Sequence, residues 1–495
     1  MQFPLTRRPL APRLFARNAA SRGVVALGLV SLGLVTLSGC ASVDFDQSLG
    51  QTNQEAASFT DRQLALATTQ AHNDARAATA ASLLQRRLSQ ADAVQLALVN
   101  SPALQALLAQ NWADAASAAQ GGRISNPLLS IGRMRMGSEL EIESALSFGL
   151  LDLLTLPQRQ KAAQREVAQA QLRLTSDVID TVTQVRQAWV RAVAAQQRVV
   201  YATQVHTSAQ ASAELARRML KAGNFNKITQ ARQQAYFADS VVRLATAQLA
   251  STAAREALVR LLGLSDEQAA KLLLPERLPD LPTAAKEAAE VSTAARAQRL
   301  DVRLASATLD AYAQSQGMRV VNSYTDIELT AKQKTKSDDD SGTSVSGTGW
   351  EIGVRLPLFD WGDAKRQGLN AQTLAAAQRL EATVRAAGSH LRESYANYRT
   401  AHDIARHYRD EILPLRQTIA DENVLRYNGM LIGVFELMAD AREQVGTVLE
   451  ALDAEQQFWL AEAALHASLL GKPTPLSMGS MPSGSVSSNT SSPAH

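Results

Sequence analysis

A single cysteine, Cys40, stands among 495 residues, so the chain forms no internal disulfide and no cysteine-metal cluster. Aromatic residues make up only 5%, which argues against several compact cores. Ala, Gln, Leu and Arg instead dominate long stretches, the composition of long packed helices. No Gly-x-x-x-x-Gly-Lys-Ser/Thr or Gly-x-Gly-x-x-Gly loop is present, so the phosphate cradle of a nucleotide hydrolase is missing. The seven histidines are scattered. His402 and His407 stand five apart, off a shared helix face, and no His-Glu-x-x-His occurs. Asp338, Asp339 and Asp340 lack the alternate-ligand spacing of a calcium loop and read as solvated. No catalytic constellation, metal site or bound cofactor is expected, and the chain does not read as an enzyme.

One apolar run, residues 24–41, follows an arginine-bearing segment and is too short and too weakly flanked for an ordinary membrane-spanning helix. It ends in Leu37-Ser-Gly-Cys40, which resembles a bacterial lipobox. That resemblance implies a signal peptide at 1–39, a mature chain beginning at Cys40, and a covalent lipid such as palmitate on its thiol. Ala41 in place of Asp implies outer-membrane sorting. Residues 1–39 hold Arg7, Arg8, Arg13, Arg17 and Arg22 and no acid, leaving 45 basic against 47 acidic side chains, net −2. The high pI therefore belongs to the leader and does not argue for a nucleic-acid partner.

Within the mature chain the plan repeats. After an N-terminal segment at 40–87, a first half at 88–272 contains strands near 127–149 and a helix hairpin near 159–264. Pro275, Pro279 and Pro282 mark a linker at 273–293. A second half at 294–471 contains strands near 320–357 and a hairpin near 363–470, and a Ser/Pro-rich tail at 472–495 reads as disordered. Ser89 is positioned to cap the first lead-in helix. Leu140, Ile142, Leu146 and Phe148 alternate with Glu141, Glu143, Ser147 and Gly149. Likewise Trp350, Ile352, Val354 and Leu356 alternate with Glu351, Gly353 and Arg355. The partner strand is expected at Val320 to Ala331, and Lys332 to Gly349 as an exposed loop. Strands of this length, apolar on one face and polar on the other, fit a transmembrane β-barrel, with Glu141 and Glu143 toward its lumen.

Val178, Val182, Val185, Trp189, Ala192 and Val199 recur about every 3.5 residues, the seam of a coiled coil. Four strands cannot close a barrel, and an open edge in lipid leaves backbone groups unpaired, so the chain must oligomerise. Three copies supply twelve strands; closure alone does not exclude two or four.

Three stretches carry a further resemblance: Val354-Arg-Leu-Pro-Leu-Phe-Asp-Trp-Gly362, Leu425-Arg-Tyr-Asn-Gly-Met-Leu-Ile-Gly-Val-Phe-Glu-Leu437 and Ala97-Leu-Val-Asn-Ser-Pro102. Looser first-half counterparts are Phe148-Gly-Leu-Leu-Asp-Leu-Leu-Thr-Leu-Pro157 and Arg218-Met-Leu-Lys-Ala-Gly-Asn-Phe-Asn226. In this order the sequence resembles the TolC-type outer-membrane efflux family, lipoprotein branch, over about residues 85–471. Ser101 between the Asn and the Pro departs from the family pattern.

The resemblance implies a mostly α fold with a membrane β-barrel portion: long coiled-coil hairpins, four strands per chain and a twelve-stranded barrel shared by a homotrimer. It implies a passive gated duct in the outer membrane of a Gram-negative bacterium, lipid-anchored and extending into the periplasm, where it meets an adaptor protein and an inner-membrane pump. Adaptor contact falls on the hairpin tips, Gly223, Asn224 and Phe225 together with Gly429, Met430 and Leu431. Glycine suits such a reversal because it accepts positive φ. The periplasmic constriction falls on Glu436 and Asp440, one turn apart. Other readings of the pattern are a periplasmic adaptor lipoprotein, which usually has one hairpin, and a coiled-coil envelope scaffold, which needs no paired strands.

Overall fold

The computed structural model describes residues 45–60, 63–288, 299–324, 326–356 and 358–473. The expected signal peptide, Cys40 and the tail from residue 474 lie outside the described residues. Helices α1 (Phe45–Thr60) and α2 (Gln70–Leu83) lead to α3 (Gln90–Asn100) and α4 (Pro102–Gln120). Ser89 and Asp92 cap α3 reciprocally, hydroxyl to Asp92 N–H and carboxylate to Ser89 N–H, satisfying two orphan donors of the first turn. A hairpin of β1 (Leu128–Met136) and β2 (Glu139–Gly149) follows, then short α5 (Leu150–Leu154) and the long α6 (Leu156–Lys221). The return helix α7 (Lys227–Leu262) and short α8 (Asp266–Ala270) end the first half.

The second half runs α9 (Leu300–Tyr324), β3 (Ile327–Asp338), β4 (Thr343–Val354) and α10 (Asp363–His407). A π turn (Tyr408–Ile412), α11 (Leu413–Asn428) and the return helix α12 (Val434–Leu469) complete it. The π turn has a covalent cause. Pro414 has no N–H for the Asp410 carbonyl and its ring would collide with it, so the helix widens by a residue just before it.

The two halves match in residue count. Helix α6 has 66 residues, and α10, the π turn and α11 have 45, 5 and 16, again spanning 66 positions. Both return helices have 36. At 1.5 Å per residue the outgoing arms extend about 100 Å.

Each return helix ends on a left-handed glycine packed against the start of another helix. Gly263 has φ 64° and a Cβ there would collide with Pro102 Cδ; Gly471 has φ 87° and a Cβ would collide with Asp301. Asn100 Nδ2 donates to the Leu262 and Gly263 carbonyls at 3.2 and 2.9 Å, closing the frayed end of α7. The Asn-Ser-Pro stretch is thus a junction: Asn100 caps α7 while Pro102 opens α4.

The main core lies where α3, α4 and the chain before Leu88 pack on α6. Val178, Val182, Val185, Trp189 and Ala192 are buried, and Val199 is half-buried. Trp189 Nε1 donates to the Leu88 carbonyl at 2.8 Å, so the indole is buried without an unsatisfied donor. Helix α1 is fixed to α6 by Arg186, which stacks 4.4 Å from the Phe59 ring and donates to the Phe59 carbonyl.

A second core joins Tyr398 and Ala405 of α10 to Phe458, Ala461 and Leu465 of α12, with Leu281 of the proline-bearing segment inserted. That segment is a docked strap. Its Pro279 carbonyl accepts from Trp459 Nε1 at 3.1 Å, and its Pro282 carbonyl lies 3.1 Å from His402 Nε2.

All four strands form one antiparallel sheet in sequence order, β1-β2-β3-β4. Two expectations about the second hairpin are corrected. Val320 to Tyr324 are helical, and the strand begins at Ile327. The stretch expected as a loop from Lys332 to Gly349 is strand on both sides of a tight turn at 339–342. Apart from Val345, its residues are polar or glycine on both faces (Lys332, Lys334 and Lys336 against Gln333, Thr335 and Ser337), so no alternation of hydrophobicity marks it. Asp338 makes the turn: its carboxylate accepts from Asp340 N and Ser341 Oγ, and its carbonyl from Gly342 N.

Candidate functional site: a charge-paired sheet and two hairpin tips

The register divides the sheet into two chemically distinct faces. One carries Leu129, Ile131, Leu140, Ile142, Leu146, Phe148, Leu329, Trp350, Ile352 and Val354. The other carries six carboxylates, Glu139, Glu141, Glu143, Glu328, Asp338 and Glu351, against Lys332, Lys334 and Lys336, with Leu128, Met134, Met136 and Val345 toward the two edges. Lys334 pairs with Glu141 at 2.6 Å and Lys336 with Glu139 at 2.7 Å, while Lys332 pairs with Glu351. Glu141 and Glu143 thus sit on the charged face, opposite Lys336 and Lys334, and three carboxylates remain in excess.

Both edges are open. Every residue of β1 and of β4 is exposed, and an isolated edge with an apolar face is stable neither in water nor in lipid. Just past β4, Phe359 is 99% and Trp361 66% exposed, aromatic side chains of the kind that border a membrane band.

At the far ends of the helices the two tips are built alike. Each has five residues, 222–226 and 429–433, between helices. In the first, Gly223 has φ 81° and Asn224 N donates to the Met219 carbonyl at 2.9 Å. In the second, Met430 has φ 57° and Leu431 N donates to the Arg426 carbonyl at 2.8 Å. These are Schellman closures.

The expectation that glycine makes the second reversal is corrected. Gly429 has φ −79°, and the left-handed position falls on Met430, a non-glycine residue for which that conformation costs about 1–2 kcal/mol. Met430 is 93% and Leu431 73% exposed. Gly223 and Asn224 are exposed and Phe225 is half-buried.

Glu436 and Asp440 occupy the first two turns of α12, the former exposed and the latter half-buried. Among the described residues neither carboxylate forms a hydrogen bond or ion pair. The positive end of the helix dipole favours an acid at Glu436.

Two turns beyond Glu436 is a group that the sequence did not single out. Arg442 Nη2 donates to Gln233 Oε1 of α7 at 2.7 Å, and its guanidinium lies 4.2 Å from the Tyr236 ring. Arg198 of α6 pairs with Asp453 of α12 nearby in the same interface. Tyr201, whose hydroxyl faces the Val445 carbonyl, has its pKa pushed to about 12 by burial and the neighbouring Tyr236. These contacts tie the second hairpin to the first around a cleft of about 290 Å³. Arg442 escaped notice because a lone arginine on a charged helix reads as solvated.

Among the described residues no cluster of three His, Cys, Asp or Glu side chains is arranged to hold a metal. No helix among them is long and apolar enough to cross a membrane. The geometry defines a class: a protein with a membrane-type sheet, unable to close alone, set on two helical hairpins of matched length.

No protein-family model matches the chain, and no curated protein matches it. Solved structures do. A membrane protein from Pseudomonas aeruginosa superposes with a TM-score of 0.64 at 19% identity, over 79% of this chain and 93% of that one. The Campylobacter jejuni CmeC outer membrane channel gives 0.63 at 13% identity, over 85% and 92%. The open state of the Neisseria gonorrhoeae MtrE outer membrane channel gives 0.60 at 18% identity, over 77% and 88%. The chain has the fold of the TolC-type outer-membrane channels: long helical hairpins joined to a four-stranded share of a barrel.

Proposed function

We propose that three copies of this chain form a passive duct through the outer membrane for an efflux or export system. One observation carries the reading: a four-stranded sheet with open edges, one face apolar and the other charge-paired, continues into two hairpins of equal length. Three such sheets give twelve strands, enough to enclose an aqueous lumen. Helices of about 100 Å then prolong the barrel into a tube. The charged face lines the lumen, and its excess of carboxylates favours cations. An adaptor or scaffold has no use for a sheet of this kind, and no step of transport requires chemistry by the duct.

Cys40 carries the lipid that holds the chain to the outer membrane. The tips at Gly223 to Phe225 and Gly429 to Leu431 receive a periplasmic adaptor, which couples the duct to an inner-membrane pump. The strain at Met430 supports this: an exposed thioether side chain retained where glycine would be easier points to a contact. Glu436 and Asp440, three copies of each, form an anionic ring at the periplasmic mouth. Opening moves α12 away from α6 and α7, so the Arg442 and Arg198 contacts must break.

The first test is the mass of the full-length protein extracted in detergent. Three chains per particle agree with the reading. A single chain per particle, stable with its sheet edges uncovered, contradicts it.

A further inference from the structure

The apolar face of the sheet carries two charged side chains among its described residues, Arg133 and Arg135 of β1. Arg135 pairs with Asp339 of the β3–β4 turn. Arg133 is exposed and has no hydrogen-bond or ion-pair partner among the described residues. Its row across the sheet reads Arg133, Ile142, Thr335, Ser346, and the next row toward the turns reads Arg135, Leu140, Ser337, Ser344.

No carboxylate lies on this face of any strand. Strand β4, which must pair with β1 of a neighbouring copy, presents Ser344, Ser346, Thr348, Trp350, Ile352 and Val354 there. Any closure that keeps apolar side chains outward therefore leaves Arg133 without a carboxylate from a strand. This holds whatever the number of copies.

The surroundings fix its depth. Toward the helices the rows of this face are apolar, Leu129, Leu146 and Trp350 and then Phe148, Leu329 and Ile352, and beyond the end of β4 come the exposed Leu358, Phe359 and Trp361. Trp350 toward the strand turns and Trp361 toward the helices flank this apolar stretch, as aromatic girdles flank the hydrocarbon zone of a barrel. Arg133 stands two rows above Trp350, on the side of the strand turns. An arginine there is just outside the hydrocarbon, where its cost is small and phosphate groups of lipid are within reach. The guanidinium presents a planar fork of donors that matches a phosphate bidentately.

We infer that Arg133 anchors a phosphorylated lipid headgroup of the outer leaflet, one on each chain, against the outer wall of the barrel. The inference rests on the proposed duct, because it needs the apolar face to meet lipid.

The test is native mass spectrometry of the full-length protein titrated with diphosphoryl lipid A, its dephosphorylated counterpart and inorganic phosphate. Wild type is expected to retain the diphosphorylated lipid in preference to the dephosphorylated one. Arg133→Gln is expected to weaken retention about tenfold, and Arg133→Lys by less, because an ammonium lacks the fork. Arg379→Gln, on the exposed face of α10, should change nothing. Equal retention by Arg133→Gln and wild type overturns the inference, as does equal binding of the dephosphorylated lipid. Displacement by inorganic phosphate alone overturns it too, since the site then takes a free anion. If Asp340→Asn reproduces the loss without regard to lipid, a neighbouring copy's turn is the partner and the inference fails. In each of these cases a three-chain particle leaves the duct reading standing. Single chains in detergent defeat both.

Discussion

Met430 is the residue whose backbone is hardest to account for by folding alone. It occupies in the second tip the position that Gly223 holds in the first, with the same Schellman hydrogen bonds and the same left-handed φ. Met430→Gly should therefore raise stability by about 1 kcal/mol, and Gly223→Ala should lower it by a similar amount. Denaturant unfolding of the assembled protein measures both, and effects of the same sign would refute the assignment of strain.

Arg442 is the complementary case, a side chain that holds rather than strains. Its hydrogen bond to Gln233 and its stack on Tyr236 are made between hairpins. Glu436 and Asp440 act in neither way. With no partner among the described residues, their charge is available to an ion. Replacing both by amides should reduce the cation preference of the open channel, read as a smaller reversal potential in a salt gradient. An unchanged potential would remove them from the conduction path.

Among the elements, the strap at residues 273–288 gives the clearest pH dependence. Glu455 of α12 faces it, and burial together with Asp280 of the strap raises its pKa to about 7, Arg277 opposing. A carboxyl that binds its proton more tightly when folded loses stability as pH rises from about 4.5, its unfolded value, through about 7. On the same helix His466 lies 2.6 Å from Lys286 Nζ, and burial with that cation lowers its pKa to about 4. Here stability falls as pH drops from about 6.5 through about 4. Glu455→Gln should thus raise the thermal midpoint at pH 8 more than at pH 5, and His466→Gln should reduce the loss at pH 5. Scans at the two pH values check both, and equal gains at each pH would contradict the roles given to these groups.

The strap also marks where the sequence ceased to be legible. Prolines announced that no helix continues there, which is a local fact. That their carbonyls take hydrogen bonds from Trp459 and face His402 depends on residues more than a hundred positions away. The coiled-coil seam of α6 could be read because its period is local, as could the Ser89 cap and the alternation in β2 and the end of β4. The upper part of β3 and β4 could not, because strands that are polar on both faces carry no hydrophobic period. Lysine–carboxylate pairs hold β3 to β2 there, and the Asp338 turn joins it to β4. Gly429 is not the turning position for a similar reason: composition favours glycine at a reversal, but the Schellman bonds fix which position turns.

At the scale of the whole molecule, the matched arms of 66 and 36 residues in both halves set hairpins of nearly equal reach around one sheet. If three chains assemble as proposed, six such hairpins extend from one barrel. On that proposal, closure brings the second hairpins together and opening breaks their contacts with the first, those of Arg442 included. The charged face of the sheet keeps three more carboxylates than lysines, so a trimer that turns this face to its lumen is predicted to select cations even when the mouth is open.

Whether the chain works as a gated duct is read from the single-channel conductance of the purified full-length protein in a planar bilayer. Wild type is predicted to show a small, cation-selective conductance. Arg442→Ala, which frees the second hairpin, is predicted to raise it several-fold without loss of the trimer. No conductance from either protein, or the same conductance from both in intact trimers, would contradict the account.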